Sequence, residues 1–219
     1  MAGLSRIAPY LMPGVGDLPV NTVPWRVDPR RAVLLLHDMQ KFFLRPFEAE
    51  ASPAADLVEN TTALRTRCAG LGIPVAYSRQ PGDMTAEQRG LLRDFWGSGM
   101  TADPSHRDII APLAPGSGDW VFTKWRYSAF HRTALLERIR ESGRDQLIIT
   151  GVYAHVGILA TAVDAFTHDI QPFLVADAIA DFSAAEHRMA LDYAARRCAV
   201  TVTTGQLLTD LPDRAEALS

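Results

Sequence analysis

The apolar run at residues 32–36, Ala-Val-Leu-Leu-Leu, constrains the fold more than any other segment of this chain. It follows the charged residues at 28–31 and ends at His37 and Asp38. A run without polar alternation is typical of a parallel strand that is buried on both faces. Because open α/β sheets bind ligands beyond the carboxyl ends of their strands, Asp38 is the first candidate for a functional residue.

Five further strand-like runs follow, with helical patterns between them. The runs cover residues 73–78, 119–123, 146–150, 170–176 and 198–203. Helical spacing of apolar residues is clear in the segments 57–68, 135–139, 158–166 and 189–194. Ser183, with Glu186 three residues later, predicts the start of the last of these helices. The alternation predicts an α/β fold, a three-layer α/β/α sandwich with a mostly parallel, six-stranded, Rossmann-like sheet.

The domain organisation follows from length and from two irregular segments. A chain of 219 residues fits one α/β domain, and we expect it to cover 1–219. Five prolines in residues 1–30 exclude one long helix there and predict an extended arm packed over the domain or a neighbour. The stretch 80–118, rich in Gly, Pro and Asp, is expected to be a long insertion, which in compact domains is often functional.

Composition excludes several classes of protein. A net charge of −3 gives no reason to expect nucleic acid or an anionic membrane surface as a partner. No apolar stretch reaches the roughly 20 residues of a membrane helix, and the first residues lack the core of a secretory signal. Two cysteines make neither a disulfide framework nor a zinc quartet, and the six histidines lack metal-ligand spacing. We expect a cytoplasmic protein without a metal.

Several residues near strand ends could carry chemistry. Lys124 follows the third run and could face the same crevice as Asp38, although a surface lysine with a buried stem fits equally well. The turn 151–157 could offer free backbone N–H groups to an anion, or be a plain strand–helix connection in which His155 packs or caps. Turn and capping roles are expected for Asp177 and Asp181. Residues 37–43 contain no glycine, which argues against a dinucleotide fingerprint.

Several separated blocks of the sequence resemble one protein family, and they follow one another in the same order as in that family. They are residues 45–46, 80–82, 87–92, 94–97, 123–130 and 175–183. Through them the chain resembles the isochorismatase family of the cysteine-hydrolase superfamily, and within it the phenazine-pathway enzymes that hydrolyse 2-amino-2-deoxyisochorismate. The resemblance implies a small-molecule substrate with an enolpyruvyl vinyl ether, hydrolysed to pyruvate and a dihydro-aromatic alcohol without a cofactor.

The resemblance also implies roles for individual residues. Amidase members carry a nucleophilic cysteine where this chain has Gly157, so acyl-enzyme chemistry is not expected. Asp38 would protonate the terminal methylene as a general acid, with Lys124 as the second catalytic residue. Gly157 would leave space where the thiol stands in amidases. The other implied substrate contacts are Gln80, Arg89 and Tyr153, with Phe42, Trp96 and Tyr127 as pocket walls or, equally, as core residues. A cis peptide bond is implied between Val152 and Tyr153.

Alternatives remain at this stage. The sequence does not separate isochorismate from its 2-amino analogue, nor phenazine biosynthesis from a siderophore pathway. A nicotinamidase-like amidase is disfavoured by Gly157. A catalytically silent scaffold is disfavoured by the presence together of Asp38, Arg89 and Lys124. The family and the apolar arm suggest a homodimer.

Overall fold

The computed structural model of the protein describes residues 4–211. In this range six parallel strands form one sheet in the order β3-β2-β1-β4-β5-β6. The strands are β1 (Ala32–His37), β2 (Val75–Arg79), β3 (Trp120–Thr123), β4 (Gln146–Val152), β5 (Gln171–Ala180) and β6 (Val200–Val202). The predicted α/β class and parallel six-stranded sheet are confirmed. The strand order reverses between β1 and β4, which is where such sheets open a ligand crevice.

Helices cover both faces of the sheet. The main ones are α2 (Ala54–Gly70), α6 (Leu135–Glu141), α7 (Leu159–Thr167), α8 (Ala184–Arg197) and α9 (Thr204–Asp210). Shorter helices are α1 (Lys41–Leu44), α3 (Ala86–Arg89), α4 (Leu92–Trp96) and α5 (Pro104–Arg107), with 3₁₀ turns at Val15–Asp17 and Ala111–Leu113 and a π turn at Ala154–Ile158. None of the helices in the described range is long and apolar enough to cross a membrane.

The central strand β1 divides the core into two. Leu34 and Leu36 pack on one face, in the cluster that includes residues of α2 and α9. Val33 and Leu35 pack on the other, with residues of α6, α7 and α8. Every residue of β1 is buried, because successive side chains of a strand point to opposite faces and both faces are covered by helices. This burial explains why the run is apolar without alternation.

The strand boundaries differ from the sequence prediction by one to four residues, as β2, β5 and β6 illustrate. β2 begins at Val75 rather than at residue 73, and β6 is only three residues long because Thr203 is the N-cap of α9. β5 extends four residues beyond 176, through a shift in its register with β4. Asp177 therefore lies inside this strand, and its Oδ1 accepts hydrogen bonds from the backbone N–H and the hydroxyl of Thr204. Its capping role is as expected.

Some helices were not expected from the sequence. The stretch 80–118 contains α3, α4 and α5, each of only four or five residues, which are too short to give a periodic pattern. Helix α9 follows β6 directly and covers the same face of the sheet as α2. Residues 212–219 lie outside the described range. Ser183 caps α8 as predicted, since its hydroxyl accepts from the N–H of Glu186.

The N-terminal arm lies over its own chain from residue 4 onward, and residues 1–3 of the predicted arm lie outside the described range. Ile7 is buried, and its N–H donates to the carbonyl of Pro46. The N–H of Tyr10 donates to Ser52, and that of Thr22 to Ala195 in α8. Hydrogen bonds thus attach the arm to the domain at several separated points.

Candidate active site

A cavity of about 470 Å³ opens beyond the carboxyl ends of β1, β2 and β4, at the reversal of strand order. The structure brings all nine predicted site residues to its lining. They are Asp38, Phe42, Gln80, Arg89, Trp96, Lys124, Tyr127, Tyr153 and Gly157. These positions span 120 residues of sequence. They come together because the parallel strands all end at the same edge of the sheet.

Asp38 is held rigidly at the floor of this cavity. It is 4% exposed and adopts the left-handed conformation at φ 53°, which aspartate tolerates better than most residues. Its N–H still donates to the carbonyl of Ser78, and its Oδ1 accepts a hydrogen bond of 2.8 Å from the Ser78 hydroxyl. The positive φ turns the side chain out of the β1 direction while the backbone stays joined to β2. The carboxyl group therefore has one fixed orientation.

Lys124 forms a buried ion pair with Asp38. The lysine is 2% exposed, and its Nζ lies 2.9 Å from Oδ2 of Asp38. The same Nζ donates to the carbonyl of Arg126 over 2.7 Å. The Lys124 N–H continues the pairing of β3 with β2 by donating to Arg79. Of the two interpretations open for Lys124, the structure agrees with the one that turns it into the crevice.

Gln80 links Asp38 to Arg89. Its Nε2 lies 3.5 Å from Oδ2 of Asp38, and its Oε1 accepts from Nη1 of Arg89 over 3.1 Å. Gln40 fixes the Gln80 backbone, since its side-chain amide accepts from the N–H and donates to the carbonyl of that residue. Burial and the neighbouring Arg126 lower the pKa of Arg89, which borders the cavity.

The imidazole of His37 fills the space next to Gly157. A Cβ built on Gly157 would overlap Cε1 of His37, so the expected empty space at this position is wrong. Burial lowers the pKa of His37 to about 4, which leaves the ring neutral with one N–H. We assign that proton to Nδ1, which lies 2.8 Å from the carbonyl oxygen of Val152, whereas Nε2 lies 3.4 Å from that of Tyr127.

Neither cysteine can replace the missing thiol. Cys68 and Cys198 are buried in the two cores and do not border the cavity. Burial raises the pKa of Cys68 to about 12 and that of Cys198 to about 11, so both remain protonated thiols at neutral pH.

Aromatic rings form one wall of the cavity. Phe182 stacks on Tyr153 with ring centroids 4.1 Å apart and on Trp96 at 5.8 Å. The Trp96 indole N–H donates to the Tyr127 hydroxyl over 2.8 Å. The Tyr153 hydroxyl donates to the carbonyl of Phe43, and burial raises the pKa of Tyr153. The peptide bond between Val152 and Tyr153 is cis, as the family resemblance implies.

Asp181 and His155 close the turn after β4. The carboxylate of Asp181 accepts from the backbone N–H of His155 at 2.7 Å and lies 2.8 Å from its Nδ1. His155 therefore packs in this turn, against Phe182, and Asp181 has the capping role expected of it. In the described residues these two and Glu186 are the one group that could hold a metal ion. The carboxylates of both acids already accept hydrogen bonds, from His155, Phe182 and the Ser183 hydroxyl, so the arrangement matches a capped turn.

Sequence reasoning missed several residues that shape the cavity. Three of them could have been identified by their position, because each lies at or just past the end of β1 or β2: His37, Gln40 and Ser78. Phe182 and the arm segment 4–7 also border the cavity. These last contacts are made by segments distant in sequence, and no local pattern indicates them.

Comparison with known proteins identifies the family. A family model described as the isochorismatase domain matches residues 32–206. The chain belongs to the isochorismatase family. It is 58% identical to phenazine biosynthesis protein PhzD1 of Pseudomonas aeruginosa, over 95% of this chain and all of that protein. It is 56% identical to the isochorismatase of Bacillus subtilis, over 95% of this chain and 67% of that protein.

The isochorismatase fold is also found among solved structures. A cysteine hydrolase from Pseudomonas syringae pv. phaseolicola superposes with a TM-score of 0.80 at 26% identity, covering 91% of this chain and 98% of that one. The chain is therefore a hydrolase of the isochorismatase family, and its substrate is a small molecule.

Proposed function

We propose that this protein hydrolyses the enolpyruvyl vinyl ether of 2-amino-2-deoxyisochorismate in phenazine-type secondary metabolism. The products are pyruvate and trans-2,3-dihydro-3-hydroxyanthranilate. The observation that carries the proposal is the buried carboxyl of Asp38, fixed at the cavity floor where no thiol is available. The similarity to the phenazine protein of P. aeruginosa supports the pathway.

Asp38 acts as the general acid. It transfers a proton to the terminal methylene carbon of the enolpyruvyl group, and the ether-bearing carbon becomes an oxocarbenium ion. Water attacks this carbon and returns one proton to Asp38, which gives a neutral hemiketal. The hemiketal collapses by breaking the bond to the ring oxygen, which takes up the hydroxyl proton and leaves as the ring alcohol, and the remaining three carbons leave as pyruvate. These reaction steps need no cofactor and no covalent enzyme intermediate.

The ion pair with Lys124 has to change during this cycle. In the free enzyme Asp38 accepts from Lys124 and Ser78, whereas the reaction uses the carboxyl as a proton donor. The substrate carries carboxylates, and an anion that engages Lys124 draws it from Asp38 and repels negative charge there. Binding of the substrate thus prepares the acid.

The remaining contacts orient the substrate. Arg89 suits a carboxylate because its planar fork can bind both oxygens. Gln80 can donate to the substrate once its amide leaves Asp38, while Tyr153 and Gly157 border the same space. Phe42, Trp96 and Tyr127 exclude water from the oxocarbenium ion until one water attacks.

Pyruvate release tests the proposal. The assay couples release to lactate dehydrogenase and compares 2-amino-2-deoxyisochorismate with isochorismate. Asp38→Asn keeps the shape of the side chain and tolerates the positive φ, and it should lower kcat by about 10²- to 10⁴-fold. Asp169→Asn is the matched control, since Asp169 also has a positive φ and lies away from the cavity. Near-normal release by Asp38→Asn would remove Asp38 from the mechanism.

The substrate alternative is isochorismate, which the name of the B. subtilis relative favours. The two substrates differ at one ring substituent, and the ratio of their kcat/KM values decides between them. A silent scaffold would release pyruvate from neither.

We propose in addition that the protein is a homodimer. Leu91 and Phe95 are 77% and 74% exposed, and they lie in a groove that continues along α7 and α8 to Tyr193. Large exposed apolar side chains that are contiguous commonly mark protein interfaces. A second copy of this chain is the occupant that the family resemblance suggests.

A further inference from the structure

Tyr10 in the N-terminal arm reaches the turn that follows β5. Its hydroxyl oxygen accepts a hydrogen bond of 2.7 Å from the N–H of Asp181. The same oxygen lies 3.2 Å from Nδ1 of His187, and the two rings meet edge to face. Burial keeps His187 neutral by lowering its pKa to about 4, so Nδ1 can accept the hydroxyl proton. One side chain thereby ties the arm to β5 and α8.

The turn held by Tyr10 supports one wall of the cavity. Asp181 is completely buried, and its carboxylate accepts from the N–H groups of His155 and Phe182. Phe182 in turn stacks on Tyr153 and Trp96. A continuous series of contacts therefore runs from the Tyr10 hydroxyl to the aromatic wall.

We propose that Tyr10 is a positioning residue for substrate binding, in which its hydroxyl fixes the turn at Asp181 and so the ring of Phe182 in the cavity wall. This inference rests on the proposed function. The arm contributes directly as well, because residues 4–7 border the cavity just before the point where Tyr10 is attached. Asp38 and Lys124 are held by other elements, at the ends of β1 and β3. Tyr10 consequently affects binding much more than the chemical step.

Tyr10→Phe removes the hydroxyl and keeps the ring. We expect KM for the substrate to rise about tenfold while kcat changes by less than about twofold, because the N–H of Asp181 loses its acceptor and the wall loosens. Tyr77→Phe is the matched control. The hydroxyl of Tyr77 is bound to Nε of Arg65 over 2.6 Å, and this pair does not border the cavity. Tyr77→Phe should lower stability and leave KM unchanged.

Amide hydrogen exchange gives a readout that does not need turnover. In Tyr10→Phe the amide protons of His155, Asp181 and Phe182 should exchange faster than in wild type, and in Tyr77→Phe they should not. Equal KM values and equal exchange in the two variants would overturn the inference, as would a fall in kcat with KM unchanged. If wild type releases no pyruvate, the proposed function fails, and the exchange data alone still decide whether Tyr10 positions the wall.

Discussion

The imidazole of His37 lies against the α-carbon of Gly157, so closely that a β-carbon on that glycine would overlap the ring. The last residue of β1 thus occupies the space that a nucleophilic side chain on the turn after β4 would need. With the ring in this position, a cysteine at position 157 would have to displace His37. The space beside Gly157 is therefore set by the residue directly before Asp38.

Gly157→Ala should damage the site through this contact. The added methyl group forces His37 to move, and overpacking of this kind typically costs about 1–3 kcal/mol. We expect a lower melting temperature and at least tenfold slower pyruvate release, because Asp38 follows His37 directly. Gly205→Ala is the control, since a Cβ there meets no atom within 4 Å. Similar behaviour of the two variants would show that the space at Gly157 is unimportant.

Gly157→Cys should gain no amidase activity.

Lys124→Met should leave the Asp38 carboxylate buried without its cation. Breaking a buried ion pair in this way costs about 3–5 kcal/mol of unfolding free energy. The double variant Asp38→Asn/Lys124→Met should recover much of this loss, although it stays inactive. Urea unfolding of the two single variants and the double variant gives the coupling energy. Additive losses would mean that the ion pair does not stabilise the fold.

Acid should destabilise the protein through its buried histidines. Burial lowers the pKa of His37 and of His187 to about 4, so between pH 6.5 and about 4 the unfolded chain binds protons that the folded chain does not. Stability is therefore retained above pH 6.5 and falls as the pH drops through this window, by about 3 kcal/mol for each histidine. Burial raises the pKa of Asp181, which acts in the opposite direction and reduces the slope.

Urea midpoints measured from pH 7 to pH 4.5 test this prediction. His187→Asn should reduce the pH dependence by about half, since one of the two histidines is removed. His131 is exposed, and His131→Asn should leave the pH dependence as in wild type. A midpoint that stays constant with pH would contradict the prediction.

The proposed homodimer can be tested with charged substitutions in the groove. Leu91→Arg and Tyr193→Arg place charges on the exposed apolar surface, and we expect sedimentation analysis to show a shift from dimer to monomer. Val20→Arg is the control, because Val20 is 90% exposed and outside the groove. A monomeric wild type would remove the proposal.

The sequence predicts the residues of the cavity best where a charged side chain directly follows an apolar strand. Asp38 and Lys124 are indicated by the strand-like runs before them, and the resemblance adds Arg89; all three border the cavity. The position of His37 at the end of β1 marks it as a candidate, but the sequence does not show that its ring packs against Gly157. The boundary of β5 is missed because a register shift, rather than a change in composition, extends it past Asp177. The attachment of Tyr10 joins positions 171 residues apart, which no local pattern encodes.

The course of the N-terminal arm has a practical consequence for work on this enzyme. Residues 4–7 border the cavity, so an affinity tag fused to this end of the chain would begin only a few residues from the cavity lining. Kinetic constants measured on such a fusion should therefore be compared with those of the untagged protein. A cleavable tag makes this comparison possible on one preparation.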